Sequence, residues 1–303
     1  MDFDKCILCL KTLDSSTPPE HVIPYSLGGR LQSLLLCDKC NHEVGAKLYA
    51  SIKFDSWVRK AVWELRSVLP NKIFEAVEKR QSYTTNSPTG VTLKAKKTNS
   101  GIRIKPRSIG TETVLPTQNA TKYLEKKLIN DFGISSETAK SLSSKVSATP
   151  NGEKVQIFKD LHIVKWDAQQ FKPDFTSNGI SKINAMVLIA FEYLALLLGK
   201  SIYDESFNPV RESILNDSEL VKVEFFISSK PQPFHLIYPE FESDKTVISI
   251  HLFEYSIAKV TFNKLKISNS PDFCYLEDLI KHISLGAWSV VDAKANKWHE
   301  FDN

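Results

Sequence analysis

The sequence lacks any stretch suited to a bilayer. Its longest apolar run, Ile183 to Gly199, carries Asn184 and Glu192 and falls short of the ~20 residues of a membrane span. It predicts a buried core helix closed by Gly199, and no membrane partner. The opening residues, MDFDKCILC, hold neither the basic nor the apolar segment of an export signal, so a cytoplasmic location is expected. Charge of one sign is scarce: 39 Lys and Arg face 35 Asp and Glu, a formal net charge of +4. That balance permits nucleic-acid binding without pointing to it. There is no internal repeat and no low-complexity tract, which leaves ordinary globular domains, and 303 residues are enough for two or three of them. Cysteine is sparse too, with five in all.

What is there is unevenly spread. Residues 1–55 are dense in Cys, His, Gly and Pro and form a small domain without the material for an ordinary core. In residues 56–150 the reading is helical with a basic β-hairpin. Phe54, Trp57, Val58, Ala61, Val62 and Leu65 recur at helical spacing, and Pro70 ends that helix. NKIFEAVEKRQ reads as another. Two alternating runs, Val91–Lys96 and Gly101–Lys105, flank KTNSG and predict a hairpin. It carries Lys94, Lys96, Lys97, Arg103, Lys105 and Arg107 without an acidic residue, either as a DNA-backbone track or as a solvated face. NATKYLEKKLINDFG and SSETAKSLSSKV read as helices capped by Asn119 and by Ser135 or Ser136, with Gly133 closing the first.

Residues 151–303 read as a C-terminal α+β domain. EKVQIFKDLHIVKWD is expected as strand, the Ile183–Leu198 helix follows, and four Val-, Ile- and Phe-rich runs predict an antiparallel sheet of about four strands. His162, His235, His251, His282 and His299 show no metal spacing and are expected to be structural. The tryptophans (57, 63, 166, 288 and 298) are expected in the core, and Cys274 as a small buried residue.

The other four cysteines stand as Cys6-x2-Cys9 and Cys37-x2-Cys40. In a chain without an export signal, matched pairs read as metal ligands rather than disulfides. Four thiolates complete a tetrahedral structural Zn²⁺ site with no position open to substrate. The metal then supplies folding energy that the small domain lacks.

Between the pairs lie EHVIP and LGG, and the second pair sits in LCDKCN. In this order and framing, roughly the first 50 residues resemble the HNH nucleases of the ββα-metal fold. The resemblance implies a metal-dependent DNA endonuclease. His21 would be the base that activates water and Glu20 a hard oxygen ligand for a catalytic Mg²⁺ or Mn²⁺. Asn41 would be the second ligand, at the start of a helix through HEVGAKLYA, and His42 competes with it. In-line attack leaving 5′-phosphate and 3′-hydroxyl ends is implied as well. Gly28–Gly29 allows a tight return or a close backbone approach to phosphate, and Arg30 and Lys39 are candidate phosphate contacts. The family usually carries a middle Asn that orients the histidine. RLQSLLL has none, leaving Gln32, Ser33 or a backbone carbonyl for that task.

The expected protein is thus α+β. A zinc-stapled ββα-metal domain precedes a helical and hairpin region and a C-terminal domain with an antiparallel sheet. Its partner is DNA, in restriction or anti-phage defence, and the C-terminal region serves recognition, regulation or a homodimer. The alternative is a zinc-dependent nucleic-acid-binding protein without cleavage activity.

Overall fold

A computed structural model describes residues 3–14, 17–78, 83–86, 92–98, 101–105, 107–109, 112–117, 120–158, 161–166, 183–241, 244–263, 273–281, 283–284, 289–292 and 297–298. Two compact units emerge. The first joins residues 1–79 to residues 178–303, and the second is residues 80–177. The segment boundaries expected at 55 and 150 follow composition and do not coincide with these units.

In the first unit a two-stranded ribbon pairs β1 (Glu20–His21) with β2 (Gln32–Ser33). A continuous helical stretch follows: α1 (Asp38–Cys40), a π-helical turn over Asn41–Gly45, and α2 (Ala46–Ile52). The next helix, α3 (Ser56–Glu64), starts where Asp55 accepts from the N–H groups of Trp57 and Val58, a side-chain cap of the usual kind. Phe54 therefore stands outside the helix and is exposed, contrary to the expected span. Pro70 opens the following helix, α4 (Asn71–Glu78), as well as separating the two: Ile73 N–H donates to its carbonyl at 3.0 Å.

The later run of this unit brings α7 (Ile183–Leu198) and α8 (Asn208–Leu215). Its strands are β10 (Lys222–Ile227), β11 (Phe234–Phe241), β12 (Lys245–Leu252), β13 (Ser256–Asn263), β14 (Phe273–Asp278), β15 (Ile283–Ser284), β16 (Ser289–Asp292) and β17 (Lys297–Trp298). Their order is β10-β13-β12-β11-β14-β16-β17, with β15 on β14, and all pairings are antiparallel. The four runs expected from sequence are the adjacent strands β10 to β13. The sheet is larger than expected because β14, as long as β10, and the shorter strands β15 to β17 join it.

Helix α7, as expected, is buried along every residue from Asn184 to Leu196. With the 3₁₀ turn after it, this helix has the length and apolar composition of a membrane span, yet it packs against β12, β13, α2 and α8. Polar residues are therefore few along it. Gly199 ends it with φ +57°. Cys274 is buried, and burial pushes its thiol up to about 12, as suits an inert core residue.

In the second unit, β3 (Tyr83–Asn86), β4 (Thr92–Thr98) and β5 (Gly101–Lys105) form an antiparallel sheet in which β4–β5 is the expected hairpin. A second sheet has the order β6-β7-β9-β8, from β6 (Arg107–Ile109), β7 (Glu112–Pro116), β8 (Lys154–Phe158) and β9 (Leu161–Trp166). The single strand expected over 153–167 is thus a hairpin, β8–β9. Helices α5 (Ala120–Phe132) and α6 (Ser136–Ala148) supply Leu124, Leu128, Ala139 and Val146 to a core closed by Leu115, Leu161 and Ile163. Ser135 is the cap of α6, accepting from Thr138 N–H at 3.3 Å. Gly133 takes φ +65° after α5, where Ile134 N–H reaches back to Leu128 O at 3.1 Å. Asn119, Trp288, His282, His299 and the basic hairpin side chains lie outside the described residues.

Candidate active site

The four cysteine sulfurs at 6, 9, 37 and 40 lie within 4.8 Å of one another, and none forms a disulfide. Cys9 Sγ and Cys37 Sγ are 3.6 Å apart. A tetrahedron of sulfurs at 2.3 Å from zinc has edges of about 3.8 Å, so the cluster is close to the size that zinc requires. Backbone N–H groups of Cys9, Cys37 and Leu8 point at Cys6 Sγ. With the Cys40 thiol as chief donor, they bring Cys6 down to about 5. Cys40 moves the other way, because Cys6 takes its proton as a hydrogen bond and repels a second charge. A divalent cation removes that conflict by making thiolates of all four.

This knuckle is fixed from outside. Arg211 on α8, almost fully buried, donates from Nε to Ile7 O at 2.9 Å and from Nη1 to Asn208 Oδ1 at 2.8 Å. Ile7 N–H donates to Leu35 O at 2.9 Å, which draws the first cysteine turn against the chain entering the second.

The β1–β2 ribbon carries the next set. Its register places Glu20 opposite Ser33 and His21 opposite Gln32. The Gln32 side-chain amide lies 2.6 Å from His21 Nε2. His21 is half-buried, and desolvation lowers its pKa, so it is a neutral imidazole near pH 7. Its ring centroid is 5.3 Å from that of Tyr25. Glu20 is 7% exposed. Burial raises its carboxyl, partly offset by the His21 backbone N–H and then by His42, so Glu20 and His42 share one electrostatic neighbourhood.

Asn41 opens the π turn, with its N–H on Cys37 O at 2.9 Å. One extra residue per turn re-aims side chains at such a point. His42 is exposed and lies 3.3 Å from Asp38 Oδ1. Lys39 is likewise exposed, paired with Glu43 one turn on, while Arg30 faces Glu277.

The loop between the strands depends on its glycines. Gly28 takes φ +100°, and a Cβ there would meet Leu279 Cδ2 at 2.5 Å. A Cβ at Gly29 would lie 1.9 Å from Ile23 O. The close backbone approach is therefore to Ile23, and the pair makes the tight return.

A family model described as HNH endonuclease matches residues 6–55. The N-terminal segment is an HNH domain. No curated protein and no solved structure matches the chain.

Beneath the HNH domain lie partners that sequence reasoning did not find. Tyr49 on α2 donates to Glu192 Oε2 at 2.7 Å, and Glu192 Oε1 has no hydrogen-bond partner among the described residues. Burial, then the charge of Glu20, pushes the Glu192 carboxyl well above its ordinary value. His235 and Glu277 also reach the loop from the C-terminal sheet. Only Glu192 left a signal, as a lone acid in an apolar run.

Proposed function

We propose that the HNH domain hydrolyses phosphodiester bonds in DNA with the help of a divalent cation. The observation that carries this is the ribbon of β1 and β2. It sets a neutral imidazole, His21, beside a buried carboxylate, Glu20, with the Gln32 amide against Nε2. The amide nitrogen is the atom that lies against Nε2; turned over to present Oε1 instead, the amide keeps the proton on that nitrogen. Nδ1 is then free to accept a proton from water.

Carboxylate, amide oxygen and imidazole form a hard donor set that suits Mg²⁺ or Mn²⁺. Glu20 and Asn41 would hold the ion, with His42 as the competing ligand. When bound, it supplies charge stabilisation at the phosphate and the leaving oxygen. His21 Nδ1 takes the proton of the attacking water, the new oxygen–phosphorus bond forms, and the bond to the 3′ oxygen breaks. That oxygen gains a proton from solvent, which leaves 5′-phosphate and 3′-hydroxyl ends. A zinc held by Cys6, Cys9, Cys37 and Cys40 would tie the helical segment of Asn41 to the first cysteine turn. The hairpin sequence carries Lys94, Lys96, Lys97, Arg103 and Lys105 and supplies DNA-backbone affinity. A restriction or anti-phage role in the cytoplasm is the setting we propose.

The test is cleavage of plasmid DNA, unmodified, methylated and hydroxymethylated, by the zinc-loaded protein with Mg²⁺ or Mn²⁺. Wild type is expected to cut, and His21→Ala to lose at least ~100-fold. Binding without cutting under every metal and substrate would instead establish the non-cleaving zinc protein. Cutting by His21→Ala at the wild-type rate would remove His21 from the chemistry.

A further inference from the structure

Strand β10 ends the large sheet. One of its edges pairs with β13, and the other pairs with no strand among the described residues. Such an edge offers a row of backbone N–H and C=O groups to any chain that can lie along it. Two of the usual guards are missing, since β10 holds no proline and runs in unbroken register against β13. Large apolar side chains stand open there. Leu220, just before the strand, is 57% exposed and Phe226 is 46% exposed. Phe225 turns the other way, to Trp57 on α3, with ring centroids 6.3 Å apart. Side chains alternate along a strand, so Lys222, Glu224 and Phe226 share the outer face. Lys222 Nζ lies 3.3 Å from Glu224 Oε1, and both side chains are exposed.

This stretch is complementary to itself. Two copies of a strand can pair antiparallel about a two-fold axis normal to the sheet, with residues of the same face opposite one another. The side chains then choose the register. Centring the pair on Lys222 or on Glu224 sets like charges against each other. Centring it on Phe225 leaves Glu224 opposite Phe226. Centring it on Val223 sets Lys222 opposite Glu224 and Leu220 opposite Phe226, each on both sides of the axis. The charges then alternate in sign, and the exposed apolar residues cover one another. Leu220 also lines a cavity of about 350 Å³ with Phe207, Pro209, Val210 and Val221, so Phe226 of the second copy comes beside it.

We propose that β10 is a dimer interface, where a second copy of this chain adds its own β10 antiparallel, centred on Val223, and continues the sheet across the two-fold axis. The occupant is the same chain because β10 and the residues before it supply both members of every favourable pair. The contact is isologous and uses up both free edges, so assembly stops at two. It does not depend on whether the HNH domain cuts DNA.

The test is sedimentation velocity of the full, zinc-loaded chain between ~1 and ~300 µM. One strand pair is smaller than the ~1,600 Å² of a standard interface, so a dissociation constant of ~1–100 µM is expected. Glu224→Lys puts lysines opposite one another and Lys222→Glu puts glutamates opposite one another. Each alone should weaken the dimer at least ~10-fold. The double variant Lys222→Glu with Glu224→Lys should restore it, and so should an equimolar mixture of the two single variants. Both positions are exposed, and far-ultraviolet circular dichroism establishes that each variant folds. Phe226→Asp should leave a folded monomer. A wild type that stays monomeric to ~300 µM overturns the proposal. So does growth beyond the dimer, a dimer indifferent to the single charge reversals, or a swap and mixture that restore nothing.

Discussion

A histidine becomes a useful base only when one of its nitrogens is committed elsewhere. His21 meets that condition through a cross-strand neighbour, since the ribbon register puts Gln32 directly opposite and its amide reaches Nε2. Sequence could narrow the choice to Gln32, Ser33 or a carbonyl but not decide it. The decision depends on which residue faces His21, and register is set by loop length and by the glycine return, not by any local preference of Gln32. A specific loss follows. Gln32→Ala should lower cleavage by ~10- to 100-fold, the usual cost of removing an orienting partner. Zinc content and DNA affinity should be unchanged. The pH–rate profile separates positioning from structure, because the tautomer is no longer fixed and the apparent pKa of the base shifts. Cleavage by Gln32→Ala at the wild-type rate, with the same pH profile, would sink the role.

At the scale of elements, the HNH domain is a set of short pieces that would not persist alone. Strands β1 and β2 have two residues each, and the helical stretch following them is interrupted by a π turn. The cysteine spacing was legible because it is a covalent pattern whose meaning survives without the fold. The amphipathic helices and the basic hairpin were legible for a similar reason: period and turn chemistry are local. The β8–β9 hairpin was not, because the sequence between Phe158 and Leu161 is Lys-Asp, with neither Gly nor Pro as a marker. If the metal knuckle holds these pieces, Cys37→Ser should lose both zinc and stability. The expected fall is from about one zinc per chain to well below one, and of about 4 kcal/mol or more in unfolding free energy. Metal analysis beside urea denaturation checks this, and normal zinc content in a destabilised variant would reject the four-thiolate site. EDTA treatment of wild type should reproduce the variant's curve.

The whole molecule shows what no local pattern could. The HNH domain belongs to one compact unit with the C-terminal sheet, and buried polar side chains cross between them. Arg211 holds Ile7, Glu192 receives Tyr49, and His235 holds the β1–β2 loop. Each partner lies more than 100 residues away in sequence, so composition and periodicity could not pair them. His235 gives this coupling a measurable sign. Its Nε2–H donates to Leu27 O at 2.9 Å, and its Nδ1 accepts from Phe253 N–H at 3.0 Å. Both nitrogens are used by the neutral ring, and a second proton would displace the Phe253 bond. Burial accordingly brings the ring down from 6.5 to about 4. Between those values the unfolded chain binds a proton that the folded chain refuses, so stability falls as pH drops through that window. The full contribution is present above pH 6.5, and about 2 kcal/mol of it is lost between pH 7 and pH 5. The buried acids Glu20, Glu192 and Glu277 shift in the opposite sense, so the wild-type curve alone would mix the two. His235→Gln keeps a donor for Leu27 and removes the titration. Urea unfolding of both proteins at pH 7 and pH 5 should show the variant destabilised at pH 7 and losing about 2 kcal/mol less on acidification. Parallel losses in the two proteins would mean that the bond from His235 to the β1–β2 loop does not form.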